Sequence, residues 1–221
     1  MASGYPVVLS LANRLCVVAG GGSVAERKAA GLLEAGANVH VIAPRLTPRL
    51  KEWGAAGKLR ATERAIEADD LEGAALLFAA TNRPDVNRSI AEEARARGIP
   101  VNLADQGEAG DFVTPAVVRR GRLVFAVSAS GAGPAFAARL AAELSERYGE
   151  EYETLAEQLY KLRRAVLASV SDPAERRMLL QASASDAALE LWKTCPEDSA
   201  GEELLSKLRE LARDRHDQDG S

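Results

Sequence analysis

Three consecutive glycines, Gly20, Gly21 and Gly22, separate a short apolar run, Leu15 to Ala19, from a helix-forming run, Ala25 to Glu34. A strand, a tight turn and a helix N-terminus in that order form a phosphate cradle. Gly20 allows the turn, Gly22 lets backbone approach a pyrophosphate, and the small Ala25 lets helix and strand pack closely. Free N–H groups and the positive dipole end of the helix then face the anion, with Ser23 and Val24 at its start. A turn of this kind also occurs in doubly wound proteins that bind nothing; the strand before it and the helix after it favour a dinucleotide.

Other chemistry-bearing residues fall where strands are predicted to end. Asp105 follows the run Ile99 to Ala104, at the carboxyl end of a predicted strand, where open α/β sheets bind ligands. Its competing role is a loop-starting aspartate that caps its own backbone. Asn102 and the pair Thr81-Asn82 occupy similar strand-end positions facing the same crevice, and Thr81 and Asn82 equally suit helix capping. An Asp or Glu about 20 residues past the glycines ordinarily binds the ribose hydroxyls of NAD. Here that place holds Ile42-Ala43-Pro44-Arg45, with no carboxylate between Glu34 and Glu52. Arg45 suits a 2′-phosphate, so NADP stays open beside NAD. Arg119, Arg120 and Arg122 make a basic turn able to pair bidentately with carboxylates, or to sit solvated at a hairpin tip. His40 alternates with valines as a packing residue, and His216 lies in a polar tail. With only two histidines, no resident histidine-built metal site is expected.

The elements that must position these residues are legible along the chain. Val39 to Ile42, Leu59 to Ile66, Ala74 to Ala80 and Ile99 to Ala104 read as further strands, the Leu59 run at an edge. Helices are predicted after the glycines, around Leu50 and Trp53, and from Pro84 through Ile90 and Ala94 to Gly98. Strands alternating with helices predict a parallel, doubly wound, Rossmann-like sheet. After Asp105 the pattern changes. Phe112 to Val118 and Leu123 to Ser128 are strand-like runs joined by the arginine turn and expected to pair antiparallel. The small-residue turn Ser128 to Pro134 then feeds a helix through Phe136, Leu140, Leu144 and Tyr148. From Glu150 onward only helix is expected: a stripe of Tyr152, Leu155, Leu159, Leu162 and Val166, a helix capped by Asp172-Pro173, and a frayed end from Asp214.

Bulk properties narrow the function classes. A chain of 221 residues that is 47% hydrophobic and 27% charged describes an ordinary globular protein with one sizeable core and an appendage. A net charge of −4 argues against a broad nucleic-acid footprint. Cys16 and Cys195 make neither a disulfide framework nor a zinc site. No stretch reads as a signal peptide or membrane span, so the expected location is the cytoplasm.

Gly20-Gly21-Gly22-Ser23-Val24-Ala25-Glu26-Arg27-Lys28 resembles the opening of the precorrin-2 dehydrogenase module of siroheme synthases. The likeness continues through Glu34 to Ala37, Ala79 to Asn82, Val101 to Asp105, Asp111 to Ala116, Val127-Ser128 and Gly131 to Pro134. Each piece alone is weak; their order and spacing make the match. The resemblance implies a Rossmann domain (1–112), a small α+β dimerisation region (113–149) and an all-helical C-terminal domain (150–221). It implies NAD-dependent oxidation of precorrin-2 to sirohydrochlorin in a homodimer, with ferrous iron insertion to give siroheme in some members. Ser23, Val24, Pro44 and Arg45 are then expected at the cofactor. Asp105 is the expected base for proton removal in the oxidation and in metal insertion. Arg119, Arg120, Arg122 and Ser128 are candidate substrate contacts, because a precorrin carries many acetate and propionate groups. The rival from another class is a non-catalytic NAD-sensing or tetrapyrrole-binding protein on the same fold.

Overall fold

The computed structural model describes residues 4–104, 109–129, 131–196 and 198–219, with side chains to residue 211. It divides into two compact units, Met1–Thr114 and Pro115–Ser221.

In the first unit the apolar runs form β1 (Leu15–Ala19), β2 (Asn38–Ile42), β3 (Arg60–Thr62), β4 (Leu76–Ala79) and β5 (Val101–Leu103). The runs between them form α1 (Ser23–Glu34), α2 (Pro48–Ala55) and α3 (Pro84–Ala96), with a 3₁₀ turn at Ala68–Leu71. All strand pairs are parallel and the order is β3-β2-β1-β4-β5. This is the doubly wound Rossmann order, whose direction reverses between β1 and β4. Because side chains alternate along a strand, each face has its own core. Cys16, Val18, Val41 and Phe78 pack with Ala25, Ala29 and Leu32 of α1. Val17, Ala19, Leu77 and Val101 pack with Ile90, Ala91 and Ala94 of α3. Burial on both faces explains why β1 and β4 read as continuous apolar runs. The weakly alternating run is the edge strand β3, reduced to three residues. Residues 4–10 form neither helix nor strand, and Tyr5 and Val8 stand exposed.

The second unit opens with the antiparallel pair β6 (Ala116–Arg120) and β7 (Leu123–Val127). Arg119 and Arg120 were expected in a turn but belong to β6. The turn itself is Gly121-Arg122, with Gly121 at φ +53°, the first-position glycine that a two-residue hairpin favours. Next comes α4 (Pro134–Arg147), which buries Ala137 and Ala141 and leaves Phe136 52% exposed. Of the expected Phe136, Leu140, Leu144 and Tyr148, only Phe136 is exposed; Ala137 and Ala141 take the innermost places and the other three are partly buried. Then follow α5 (Glu151–Ser169), α6 (Pro173–Ala182), α7 (Asp186–Thr194) and α8 (Gly201–Asp219). The last helix continues through Asp214, where fraying was expected. Asp172 caps α6 by accepting from the Glu175 amide, with Pro173 in the first turn, as read from the sequence. The helices share a core of Leu155, Leu162, Val166, Leu179, Trp192 and Leu204, among others. Phe125 stacks on Tyr148, which meets Tyr152 edge-on, so the hairpin, the end of α4 and the start of α5 are joined by aromatic contacts.

Candidate cofactor and substrate site

The carboxyl ends of the parallel strands are level. Ala80 donates its amide to Ala19 O, Gly20 to Ile42 O and Ala104 to Ala79 O, so the ends of β1, β2, β4 and β5 lie side by side. Within that row each glycine has a different task. Gly20 has φ +137°, and a Cβ there would collide with the Ala80 carbonyl at the reversal point. A Cβ on Gly21 would collide with the Arg45 carbonyl, and Gly21 O accepts from the Thr47 amide. Gly22, at φ −92°, has no atom within 4 Å of where a Cβ would stand.

Gly22 is the N-cap of α1, and no side chain caps that helix. The Glu26 amide makes the first intrahelical bond, to Gly22 O, so the amides of Ser23, Val24 and Ala25 have no acceptor within the helix. Ser23 and Val24 are exposed, whereas Ala25 is fully buried against the sheet. An open floor at Gly22, free amides and the positive helix end fit a dinucleotide pyrophosphate. Thr47 braces the turn: its hydroxyl donates to Glu26 Oε2 at 2.8 Å and accepts from the Leu50 amide to cap α2. Pro44 and Arg45 are exposed beside this turn.

Beyond β4 the structure distinguishes two neighbours the sequence left alike. Thr81 is held inside its loop: its amide and hydroxyl reach Asn87 Oδ1 at 3.1 and 2.7 Å, and its hydroxyl accepts from the Arg83 amide. Asn82 is exposed. Asn87, only 1% exposed, was missed by sequence reasoning, although it lies one turn before Ile90 on the buried stripe of α3.

At β5, Asn102 is 4% exposed, donates from Nδ2 to Phe112 O at 2.9 Å, and leaves Oδ1 buried without a donor. Asp111 ties the segment before Phe112 to the strand: its carboxylate accepts from the Val101 amide at 2.9 Å and its own amide donates to Val101 O. Phe112 meets Phe78 edge-on at 5.3 Å, and Arg95 pairs with Asp111 at 3.0 Å. Asp105, the expected base, lies outside the described residues.

In the second unit, Arg120 is occupied by the fold. Its guanidinium donates to Tyr148 O at 3.0 Å and to both Ser145 O and Ser145 Oγ at 2.9 Å, at the end of α4 where helix carbonyls lack partners. Arg122 pairs with Glu157 and lies 3.5 Å over the Tyr160 ring. Arg119 lies on β6, and Ser128 is exposed just past β7.

His40 is a packing residue, 3% exposed, bonded through Nε2 to Thr62 Oγ1 at 2.9 Å. Burial is the main cause holding its pKa below the ordinary histidine value, with the Arg60 charge next. It borders a cavity of about 620 Å³ with Leu15, Asn38, Arg60 and Asp70. Leu15 and Asn38 begin β1 and β2, so this cavity is at the amino ends of the strands, opposite the glycine turn.

Comparison with known proteins identifies the scaffold. A family model for NAD(P)-binding domains matches residues 7–116, ending beside the boundary of the first unit. A precorrin-2 dehydrogenase of Priestia megaterium is 35% identical over 159 residues, covering 72% of this chain and 78% of that protein. The chain belongs to the precorrin-2 dehydrogenase family. A solved structure described as SirC, precorrin-2 dehydrogenase, superposes on this family member with a TM-score of 0.74 at 29% identity, covering 94% of this chain and all of that one. A siroheme synthase of Methylobacillus flagellatus is 36% identical over 208 residues, which are 94% of this chain and 42% of that enzyme. The chain thus spans about two fifths of the siroheme synthases it matches. The glycine turn of this dehydrogenase-family chain therefore lies within the matched NAD(P)-binding domain. No described helix is long and apolar enough to cross a membrane.

Proposed function

We propose that this chain oxidises precorrin-2 to sirohydrochlorin with NAD. The observation that carries the reading is the open, uncapped start of α1 at Gly22 in a chain similar to a precorrin-2 dehydrogenase over most of that protein's length. Bound there, NAD supplies the hydride acceptor. Gly22 and the amides of Ser23 and Val24 hold its pyrophosphate, and Gly20 and Gly21 keep the turn closed against Ala80 and Arg45. With backbone contacts in place of the absent ribose carboxylate, NAD is preferred over NADP. The oxidation removes a hydride and a proton, and Asp105 takes the proton at its carboxylate. Catalysis on this scaffold is mostly positioning, with the substrate carbon held against the acceptor in a site from which water is kept out.

The finer parts of the reading are a three-part organisation (1–112, 113–149, 150–221), a homodimer and a cytoplasmic setting. The dimer is supported by apolar surface around the hairpin and α4, where Val117, Val124 and Phe136 are exposed. A further proposed activity is ferrous iron insertion into sirohydrochlorin, with Asp105 passing the two pyrrole protons to water one at a time. Arg120 and Arg122 act through the fold, and Arg119 and Ser128 remain as the hairpin's proposed contacts to the substrate's carboxylates.

The test is NADH formation at 340 nm with precorrin-2 made in situ, with NADP compared in parallel. Growth of NADH absorbance is expected. Tight NAD binding without turnover defeats the enzyme assignment in favour of a sensing or binding protein. Siroheme formation from sirohydrochlorin and ferrous iron is scored separately.

A further inference from the structure

Lys28 is the sixth residue of α1. Its Nζ stands 5.5 Å from the centre of the Phe78 ring and donates to Thr114 Oγ1. Phe78 is paired in register with Asn102 and is followed by Ala79, the last residue of β4. Lys28 is therefore placed beside the carboxyl ends of β4 and β5, in one cluster with Phe78, Phe112, Asn102 and Thr114.

An ammonium has three N–H donors. One is taken by a neutral hydroxyl and the ring contact takes up part of the charge. Among the described residues no carboxylate stands within ion-pair distance, and the charged neighbour acting on Lys28 is another cation, Arg27. Burial and that cation together hold the Lys28 pKa below its ordinary value, which agrees with a desolvated charge that has no anionic partner among the described residues. Lys207, also partly buried, meets Glu203 at 2.9 Å by contrast. In the same cluster Asn102 Oδ1 is buried without a donor, so two polar groups at one strand end have unused bonding capacity.

We propose that Lys28 is a substrate-positioning residue whose ammonium takes a peripheral carboxylate of the tetrapyrrole. The inference rests on the precorrin-2 reading above and names a side chain for the carboxylate contact that the hairpin arginines supply poorly, since Arg120 and Arg122 are occupied. The contact is with a part of the substrate that does not react. It orients the macrocycle, acts equally in ground and transition state, and so appears in KM more than in kcat.

The experiment measures sirohydrochlorin binding by titration calorimetry, NAD binding, and precorrin-2 turnover for wild type, Lys28→Met, Lys28→Arg and Thr114→Val. Lys28→Met is expected to bind sirohydrochlorin about ten-fold more weakly, as for loss of one hydrogen bond to a charged group. It is expected to bind NAD within about two-fold of wild type, to raise KM with kcat nearly unchanged, and to show a shallower salt dependence of sirohydrochlorin affinity. Lys28→Arg restores most of the affinity. Thr114→Val keeps the cation without its internal tie and stays within about three-fold of wild type. A Thr114→Val loss as large as that of Lys28→Met, or sirohydrochlorin affinity unchanged in Lys28→Met, overturns the proposal. Wild-type protein that neither binds sirohydrochlorin nor oxidises precorrin-2 overturns the functional reading and this inference together; binding by wild type with an indifferent Lys28→Met overturns this inference alone.

Discussion

Gly21 and Arg45 pack backbone against backbone: a single methyl on Gly21 would run into the Arg45 carbonyl, while one residue later Gly22 faces open space. Adjacent glycines in one turn therefore do different work. Gly21→Ala is expected to cost about 3 kcal/mol or more by overpacking against rigid backbone. Gly22→Ala, at an ordinary φ of −92°, is expected to leave stability within about 0.5 kcal/mol of wild type. The same Gly22→Ala change should weaken NAD binding at least ten-fold, because its methyl would occupy the pyrophosphate position proposed above. Urea denaturation and NAD titration on both variants check this, and unaltered NAD affinity in Gly22→Ala would move the cofactor elsewhere.

On the proposed mechanism, in which Asp105 takes the proton released with the hydride, Asp105→Ala is expected to keep the fold and lose most dehydrogenase turnover. Circular dichroism, thermal melting and the NADH assay measure the two properties separately. Full turnover, together with unchanged iron insertion, removes Asp105 from the mechanism.

Arg120 holds three acceptors at the end of α4, so Arg120→Leu removes the donor that the Ser145 and Tyr148 carbonyls share. A loss of about 1–3 kcal/mol of stability is expected in chemical denaturation. Arg122→Ala removes an exposed ion pair and a ring contact and is expected to cost under about 1 kcal/mol. Equal losses in the two variants would refute this division of roles.

His40 predicts an acid-sensitive fold. Its folded pKa is depressed below the ordinary 6.5 by burial first and the Arg60 charge second, with Arg64 acting the same way and Asp70 opposing. The unfolded chain therefore binds the proton more readily than the folded one. His40's contribution is complete above 6.5 and is lost progressively as pH falls below that value. Thermal melts at about pH 7.5 and about pH 5.5 should separate more in wild type than in His40→Gln, which removes the titration. Parallel profiles in the two proteins would show that other groups govern the acid limb.

Much of this molecule follows from local pattern. The order of strands and helices, the glycine turn, the Asp172-Pro173 cap and the C-terminal leucine stripe are written in periodicity and in residues with few conformational options. The expected ends of the second, fourth and fifth strands also fall within one residue of the observed ends at Ile42, Ala79 and Leu103, whereas the Leu59 run stops at Thr62 rather than Ile66. Those features depend on neighbours within a few residues, so the sequence carries them directly.

What the sequence left open depends on residues far apart in the chain. Three glycines in a row look equivalent until Ala80 and Arg45 are brought against two of them. Thr81 and Asn82 look alike until Asn87 takes both the amide and the hydroxyl of Thr81. Arg120 looks like a substrate contact until the end of α4 arrives beside it, and Phe136 looks buried until Ala137 and Ala141 take the inner face. Lys28 reads as one more charged helix residue until Phe78 and Thr114 surround it. The chain alone determined a parallel doubly wound sheet with a dinucleotide turn, because periodicity and turn chemistry are local. Which polar groups are spent within the fold, and which are left for a ligand, was decided by tertiary packing, because hydrogen-bond partners are assigned only when distant segments meet.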